Sequence, residues 1–357
     1  MPVEELFTAD RPLVLESGRT LGPVHAAYET WGELDADRSN AVVICHALTG
    51  DSRVTGEGGW WNVMVGPGRP VDPERHFVIC ANLLGGCRGT TGPSSIDPAT
   101  GRPYGLRFPM YTVGDQVAVQ RAVCRHLGVE RPLLAIGGSL GGMQALHWAL
   151  AHPGELRGAG LICATARLSA QNIAFSEVAR QAIMRDPEFR GGDYDGAGPR
   201  GGLSVARMMA HITYLSAAGL EHRFGRRAQD RDAPGMSFDA EFQVESYLRH
   251  QGATFVERFD ANTYLYLTRC MDLFDPLAPD SPLRANLPRV DTEFLVVSFD
   301  SDWRFPTAHS VAIADELEAA GRRVERHEVA SLWGHDSFLL DVPEYLDLVS
   351  AFIARLR

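Results

Sequence analysis

The chain contains no lysine. All 34 of its basic residues are arginine, they face 45 acidic residues, and the formal net charge is -11. That surplus of negative charge excludes the basic surfaces with which proteins hold nucleic acid or anionic membranes. The use of arginine throughout reads as a GC-rich coding bias. Long apolar runs are also missing: no stretch of about 18 apolar residues exists, which argues against a membrane span. The opening residues MPVEELFTADRPLVLESG are polar and acidic where a secretory signal needs a basic and then an apolar segment. The cysteines (Cys45, Cys80, Cys87, Cys124, Cys163, Cys270) form no CxxC pair. Several stand in apolar runs, so they are expected to be reduced and buried in a cytoplasmic protein. The 12 histidines lack HExxH or other metal-ligand spacing, and no metal site is expected. Internal repeats are absent.

What is present is ordinary globular material: 357 residues, 45% hydrophobic and 22% charged, enough to bury a large core. Residues 41–45 and 77–82 read as short apolar strands. Residues 112–127 have helical spacing, with Val113, Val117, Val119, Val123 and Leu127 near one face. A strand at 132–136, a helix after Ser139 and a strand at 159–163 follow. Strands alternating with helices imply an α/β fold with a mostly parallel sheet covered on both faces. From about 168 to 274 the pattern is helical, interrupted by polar, Gly-rich pieces at 190–202 and 226–233 that read as mobile loops. Alternation resumes with strands at 293–299 and 323–329 and helices at 307–320 and 344–356. The expected organisation is therefore a core formed by residues 1–167 and 276–357, with an all-helical lid formed by 168–275.

The most informative stretch is PLLAIGGSLGGMQALHWALAHP, residues 132–153. An apolar run enters Gly137-Gly138-Ser139-Leu140-Gly141, and an amphipathic helical pattern leaves it. This is the strand, sharp turn and helix of a nucleophile elbow, in which a strained serine is lifted out of the sheet. A serine hydroxyl needs a histidine to take its proton and an acid to orient that histidine. In chain order the partners follow as Ser, then Asp or Glu, then His, beyond the carboxyl ends of strands. The strand at 293–299 ends in Asp300-Ser301-Asp302, so two carboxylates compete for the acid. Among the later histidines, His309 opens a helix and His327 lies within a charged strand. His335, in SLWGHDSF just after a strand, is placed for catalysis. Two backbone N–H donors should hold the oxyanion: Leu140, next to the serine, and Leu48, in His46-Ala47-Leu48-Thr49-Gly50 after the first apolar strand.

Six segments, HALTGDSR, NLLGGCRGTTGPSSIDPATGRPYG, GGSLGGMQALHWA, ARMMAHITYLS, SFDSDWRFP and GHDSFLLD, together resemble the homoserine O-acetyltransferase family of the α/β-hydrolase superfamily. The likeness runs nearly end to end. It implies Ser139 as nucleophile, Asp302 rather than Asp300 as orienting acid, and His335 as base. It also implies that Arg207 reaches into the site from the helical insertion. Tyr214 lies seven residues on, hence on the same helical face, and a guanidinium suits an amino acid's carboxylate. Asp336 is the matching partner for the ammonium. The implied reaction is a ping-pong transfer of acetyl from acetyl-CoA, a cosubstrate rather than a resident cofactor, to L-homoserine in methionine biosynthesis. The implied assembly is a homodimer through the helical lid. Homoserine or serine O-succinyltransferase and ester or thioester hydrolase are the alternatives.

Overall fold

The apolar runs line up as the middle of one sheet in the computed structural model, which describes residues 1–357 apart from 195, 197, 231, 232 and 234. Its strands are β1 (Val3–Phe7), β2 (Val24–Trp31), β3 (Ala41–Ile44), β4 (Phe77–Ala81), β5 (Leu134–Gly138), β6 (Gly158–Ile162), β7 (Glu293–Phe299) and β8 (Val324–Val329). They stand in the order β1-β2-β4-β3-β5-β6-β7-β8. Strands β3 to β8 are parallel, and only β2 runs against its neighbours. The parallel strands therefore end on one edge of the sheet, and the loops that leave them share that edge.

Alternation along each strand feeds two cores. Val43, Ala135 and Leu161 face one side, together with α1 (Val113–His126) and α2 (Leu140–Ala151). Val42, Ile136 and Ile162 face the other, against a closing helix whose Tyr345, Val349 and Phe352 are buried. Helix α1 starts at a capping box, in which Thr112 accepts from Asp115 N–H and Asp115 accepts from Thr112 N–H. Helix α2 is buried along nearly its whole length and not amphipathic as expected, because apolar side chains stand on all its sides.

Between β6 and β7 lie α3 (Ala170–Met184), α4 (Arg200–Tyr214), α5 (Ala217–Arg223), α6 (Gln243–Phe255) and α7 (Ala261–Asp272). Helix α8 (Thr307–Ala319) then joins β7 to β8, and α9 (Pro343–Leu356) closes the chain. Inside this insertion Arg180 and Asp272 form a buried ion pair at 2.9 Å, linking α3 to α7. Among the described residues, no helix is long and apolar enough to cross a membrane.

The fold departs from the sequence expectation in three further places. Strand β5 begins at Leu134 and runs to Gly138, so both glycines before Ser139 belong to the strand; Gly138 pairs with Ile162 of β6. The segment 190–202 is shorter as a loop than expected. A helical turn opens at Pro187 but is broken by positive φ at Arg190 (48°) and Gly191 (67°), residues 195 and 197 lie outside the described residues, and α4 already starts at Arg200, where Asp186 accepts a hydrogen bond from Gly202 N–H at 2.7 Å. Part of the second expected loop, residues 231 and 232, lies outside the described residues. The antiparallel pair β1–β2 was not expected, because VEELF offers a charged edge strand with little apolar alternation.

Gly141 in the first turn of α2 has a specific reason. A Cβ there would collide with the backbone carbonyl of Cys45 at the end of β3. Alanine would gain about 1 kcal/mol of helix propensity, yet overpacking against backbone costs about 1–3 kcal/mol or more. Gly141→Ala is therefore expected to lower stability in denaturant unfolding, and an unchanged midpoint would show that the contact relaxes freely.

Candidate active site

Ser139 connects β5 to α2 with φ 58° and ψ -123°, outside the regions that L-residues favour. Such a residue costs about 1–3 kcal/mol and persists only where its surroundings over-determine it. Here Ser139 N–H donates to Ile162 O at 2.9 Å, Gly138 lies against the Phe338 ring, and Gly137 lies against the Cys45 carbonyl. The Ser139 side chain makes no capping hydrogen bond to α2. The first-turn N–H groups of α2, Leu140 among them, have no partner within the helix.

Asp302 and His335 meet beyond the ends of β7 and β8. His335 Nδ1 and Asp302 Oδ2 are 2.7 Å apart, and both side chains are buried. The other carboxylate oxygen, Oδ1, accepts from Arg304 N–H at 3.0 Å and Phe305 N–H at 2.9 Å. With Asp302 accepting, the Nδ1 position carries the proton of a neutral ring, and Nε2 is left as an acceptor. Among the described residues, His335 Nε2 is buried without a hydrogen-bond partner, Ser139 Oγ included. Phe305 packs edge-on to the imidazole at 5.0 Å. Phe338 lies 5.9 Å from it, and the same ring touches Gly138. The serine loop and the histidine loop are thus joined through one phenyl group. A ring so held can take a proton at Nε2 and return it.

The competing residues have other employment. Asp300 accepts from Ser331 N–H at 2.9 Å, which makes it a turn residue. His327 Nε2 is 2.8 Å from Glu325, within its own strand. His309 lies on α8, half-buried, 6.0 Å from Phe305. Among the described residues, one cluster has metal-ligand types: Cys163, Asp302 and His335, with donor atoms within 4.8 Å of one another. The Asp302–His335 hydrogen bond occupies that space, and burial pushes the Cys163 thiol well above its usual range, keeping it protonated.

Leu48 sits in a turn closed by Gly50 N–H to Ala47 O at 3.0 Å, directly after β3. His46 braces this turn. Its Nδ1 is 2.8 Å from Ala47 O, while its Nε2 accepts from Leu83 N–H at 3.2 Å. Burial lowers the His46 pKa, which favours the neutral ring that this pairing needs. Asn82 ties the neighbouring loop down by accepting from Ser52 N–H at 2.7 Å and donating to Arg88 O at 2.6 Å. The HALTGDSR and NLLGGCRG segments thus build a single rigid support.

The insertion contributes the facing wall. Arg207 on α4 lies 5.8 Å from the Tyr214 ring and donates to Thr49 Oγ1 at 3.3 Å. Tyr214 is the last residue of α4 and lies 6.0 Å from the His335 ring. Asp336 follows His335. Burial raises its pKa, opposed by the nearness of His335 and Arg207. Structure therefore brings Ser139, Asp302, His335, Leu48, Leu140, Arg207, Tyr214 and Asp336 to one edge.

Four residues that sequence reasoning passed over hold this wall in place. Arg304 donates to Thr213 Oγ1 at 2.6 Å and lies 5.3 Å from the Tyr214 ring. Trp303 Nε1 donates to Leu215 O at 2.9 Å. Tyr247 OH is 2.9 Å from His211 Nδ1, and burial with Arg207 nearby lowers the His211 pKa to about 3. Trp303 and Arg304 fall inside the SDWRFP segment, so the signal was present. His211 falls inside ARMMAHITYLS in the same way, and Tyr247 alone carried none.

A family model for the alpha/beta hydrolase fold matches residues 40–342. The homoserine O-acetyltransferase of Rhodopseudomonas palustris (strain BisB18) is 54% identical over 357 residues, covering 98% of this chain and 89% of that protein. The homoserine O-succinyltransferase of Magnetococcus marinus (strain ATCC BAA-1437 / JCM 17883 / MC-1) is 52% identical, covering 98% and 93%. Among solved structures, homoserine O-acetyltransferase from Bacillus anthracis superposes with a TM-score of 0.89 at 27% identity, covering 99% of this chain and 96% of that one.

Proposed function

This chain belongs to the homoserine O-acetyltransferase family within the α/β-hydrolase fold, and from that premise we propose that Ser139, His335 and Asp302 carry acetyl from acetyl-CoA to the hydroxyl of L-homoserine. His335 Nε2 takes the Ser139 proton as Oγ adds to the thioester carbonyl. The tetrahedral oxyanion is held by the N–H groups of Leu48 and Leu140. Collapse breaks the C–S bond, the proton passes from His335 to the CoA sulfur, and acetyl-Ser139 remains. The homoserine hydroxyl then gives its proton to His335 as its oxygen adds to the acetyl carbonyl. Collapse breaks the serine ester, and the proton returns to Ser139 Oγ.

The observation that carries this reading is the nearness of Arg207 and Asp336, which act on each other electrostatically beside His335. The guanidinium suits an α-carboxylate, and the carboxylate suits an α-ammonium. A hydrolase has no need of both. Transfer must outrun hydrolysis, and we assign the shielding of the acyl-enzyme from water to a lid formed by residues 168–275 over the core. The exposed apolar side chains Ile173, Val178, Val205 and Ile212 on α3 and α4 support a homodimer through that lid. The reaction belongs to methionine biosynthesis in the cytoplasm, consistent with six unpaired cysteines.

Succinyl transfer is the second reading, favoured by the 52% identical relative that bears that name. The test is product analysis with acetyl-CoA or succinyl-CoA, with and without homoserine or serine. O-acetylhomoserine is the expected product, with homoserine preferred to serine by about 10–200-fold, the discrimination available from one methylene. Faster transfer from succinyl-CoA would establish the second reading. Free acetate at equal rates with and without homoserine would establish a hydrolase.

A further inference from the structure

Two guanidinium groups meet over one phenyl ring beside the turn that carries Leu48. Arg207 of α4 and Arg258, just beyond α6, place their guanidinium carbons 4.7 and 5.3 Å from the Phe255 ring centre. Both are tied to Thr49: Arg207 donates to its Oγ1 at 3.3 Å and Arg258 Nη1 donates to its carbonyl at 3.1 Å. Among the described residues, neither has a carboxylate within ion-pair distance. The contrast with the other well-covered arginines is direct, since Arg180 holds Asp272 at 2.9 Å and Arg121 holds Glu155. Arg207 Nε is also buried without a hydrogen-bond partner among the described residues.

Two like charges so placed are unfavourable by themselves. Burial, and then the nearness of Arg207, lowers the Arg258 pKa. Partly desolvated cations are retained where an anion completes them. One carbonyl and one hydroxyl of Thr49 leave most of the N–H donors of the two guanidiniums unused.

We propose that Arg258 is a second carboxylate-binding residue, forming with Arg207 a two-guanidinium seat for the α-carboxylate of the acceptor. The proposal rests on the amino-acid acceptor assigned above. Thr49 fixes the spacing of the pair and adjoins Leu48, so the seat and the oxyanion donor share one rigid turn. A carboxylate in the seat then sets how far the acceptor's hydroxyl reaches toward acetyl-Ser139. The competing role for Arg258 is purely structural, as a brace on the Thr49 carbonyl that steadies the oxyanion turn.

The two roles separate when the acceptor has no carboxylate. Acetyl transfer to homoserine and to homoserinol is measured for the unmodified enzyme, Arg258→Gln and Arg258→Lys, with the rate of acetyl-Ser139 formation followed separately. A charge-assisted hydrogen bond is worth about 1.5–3 kcal/mol, so Arg258→Gln should lose about 10–100-fold in kcat/KM for homoserine, mainly through KM. The loss with homoserinol should be at least about tenfold smaller. Arg258→Lys should fall between, keeping charge but losing the planar fork, and it carries the same comparison if the Gln variant does not fold. Equal losses with both acceptors, or equally slowed formation of acetyl-Ser139, would overturn the seat and establish the brace. Absence of transfer to homoserine by the unmodified enzyme would instead overturn the acceptor assignment, and the seat with it.

Discussion

Ser139→Ala is expected to lower kcat for acyl transfer by about 10⁵–10⁶-fold, the scale seen when a covalent nucleophile that works as part of a triad is removed. The proposed chemistry passes through an ester on Ser139 Oγ. The Cys163 thiol, whose sulfur lies within 4.8 Å of the Asp302 and His335 donor atoms, is buried and held protonated. The fold should survive the change. Alanine is no more strained than serine at φ 58°, and Ser139 makes no capping hydrogen bond to lose. Ser139→Gly provides the control. Glycine accepts that backbone without strain, so this variant should be equally inactive and about 1 kcal/mol more stable. Steady-state assays beside thermal unfolding check both halves. Acyl transfer retained within tenfold in either variant would contradict the assignment.

Asp302→Asn should reduce kcat by about 10⁴-fold with little change in substrate binding, as in serine hydrolases whose orienting acid is made an amide. The reason lies in the hydrogen bonds around the carboxyl group. Oδ1 already accepts from the N–H groups of Arg304 and Phe305, so an asparagine must keep its carbonyl oxygen there. Its NH₂ then faces His335 Nδ1, where the carboxylate oxygen accepted at 2.7 Å. A donor in that position requires Nδ1 to accept, which moves the ring proton to Nε2. The ring can then no longer take the Ser139 proton. Single-turnover acylation should fall in parallel with kcat. Asp300→Asn, in a turn beside Ser331, is the matched control and should stay near the activity of the unmodified enzyme. A loss of less than tenfold in Asp302→Asn would show that the carboxylate does not set the tautomer.

The site was legible in the sequence where a local constraint is severe. A strained serine between a buried strand and a buried helix needs glycines on both sides, and GGSLGG shows them. His335 could be chosen because its rivals lie within a helix and a strand, not after a strand end. Asp302 could not be separated from Asp300 by such reasoning, since both follow β7. What separates them is which carboxyl is buried with two N–H groups converging on it, a tertiary property. The resemblance had already favoured Asp302. Arg258 was invisible for the same kind of reason. It lies 209 residues from Thr49 and meets Arg207 only when α4 and α6 pack. The edge strand β1 was missed because VEELF pairs through its backbone, which carries no composition signal.

Mass spectrometry of the peptide bearing Ser139, after brief mixing with acetyl-CoA and again after adding homoserine, tests the proposed chemistry most directly. The expected result is an acetyl adduct on Ser139 that persists in the absence of acceptor and disappears as O-acetylhomoserine forms. No adduct, or an adduct lost at the same rate with and without homoserine, would contradict transfer through Ser139.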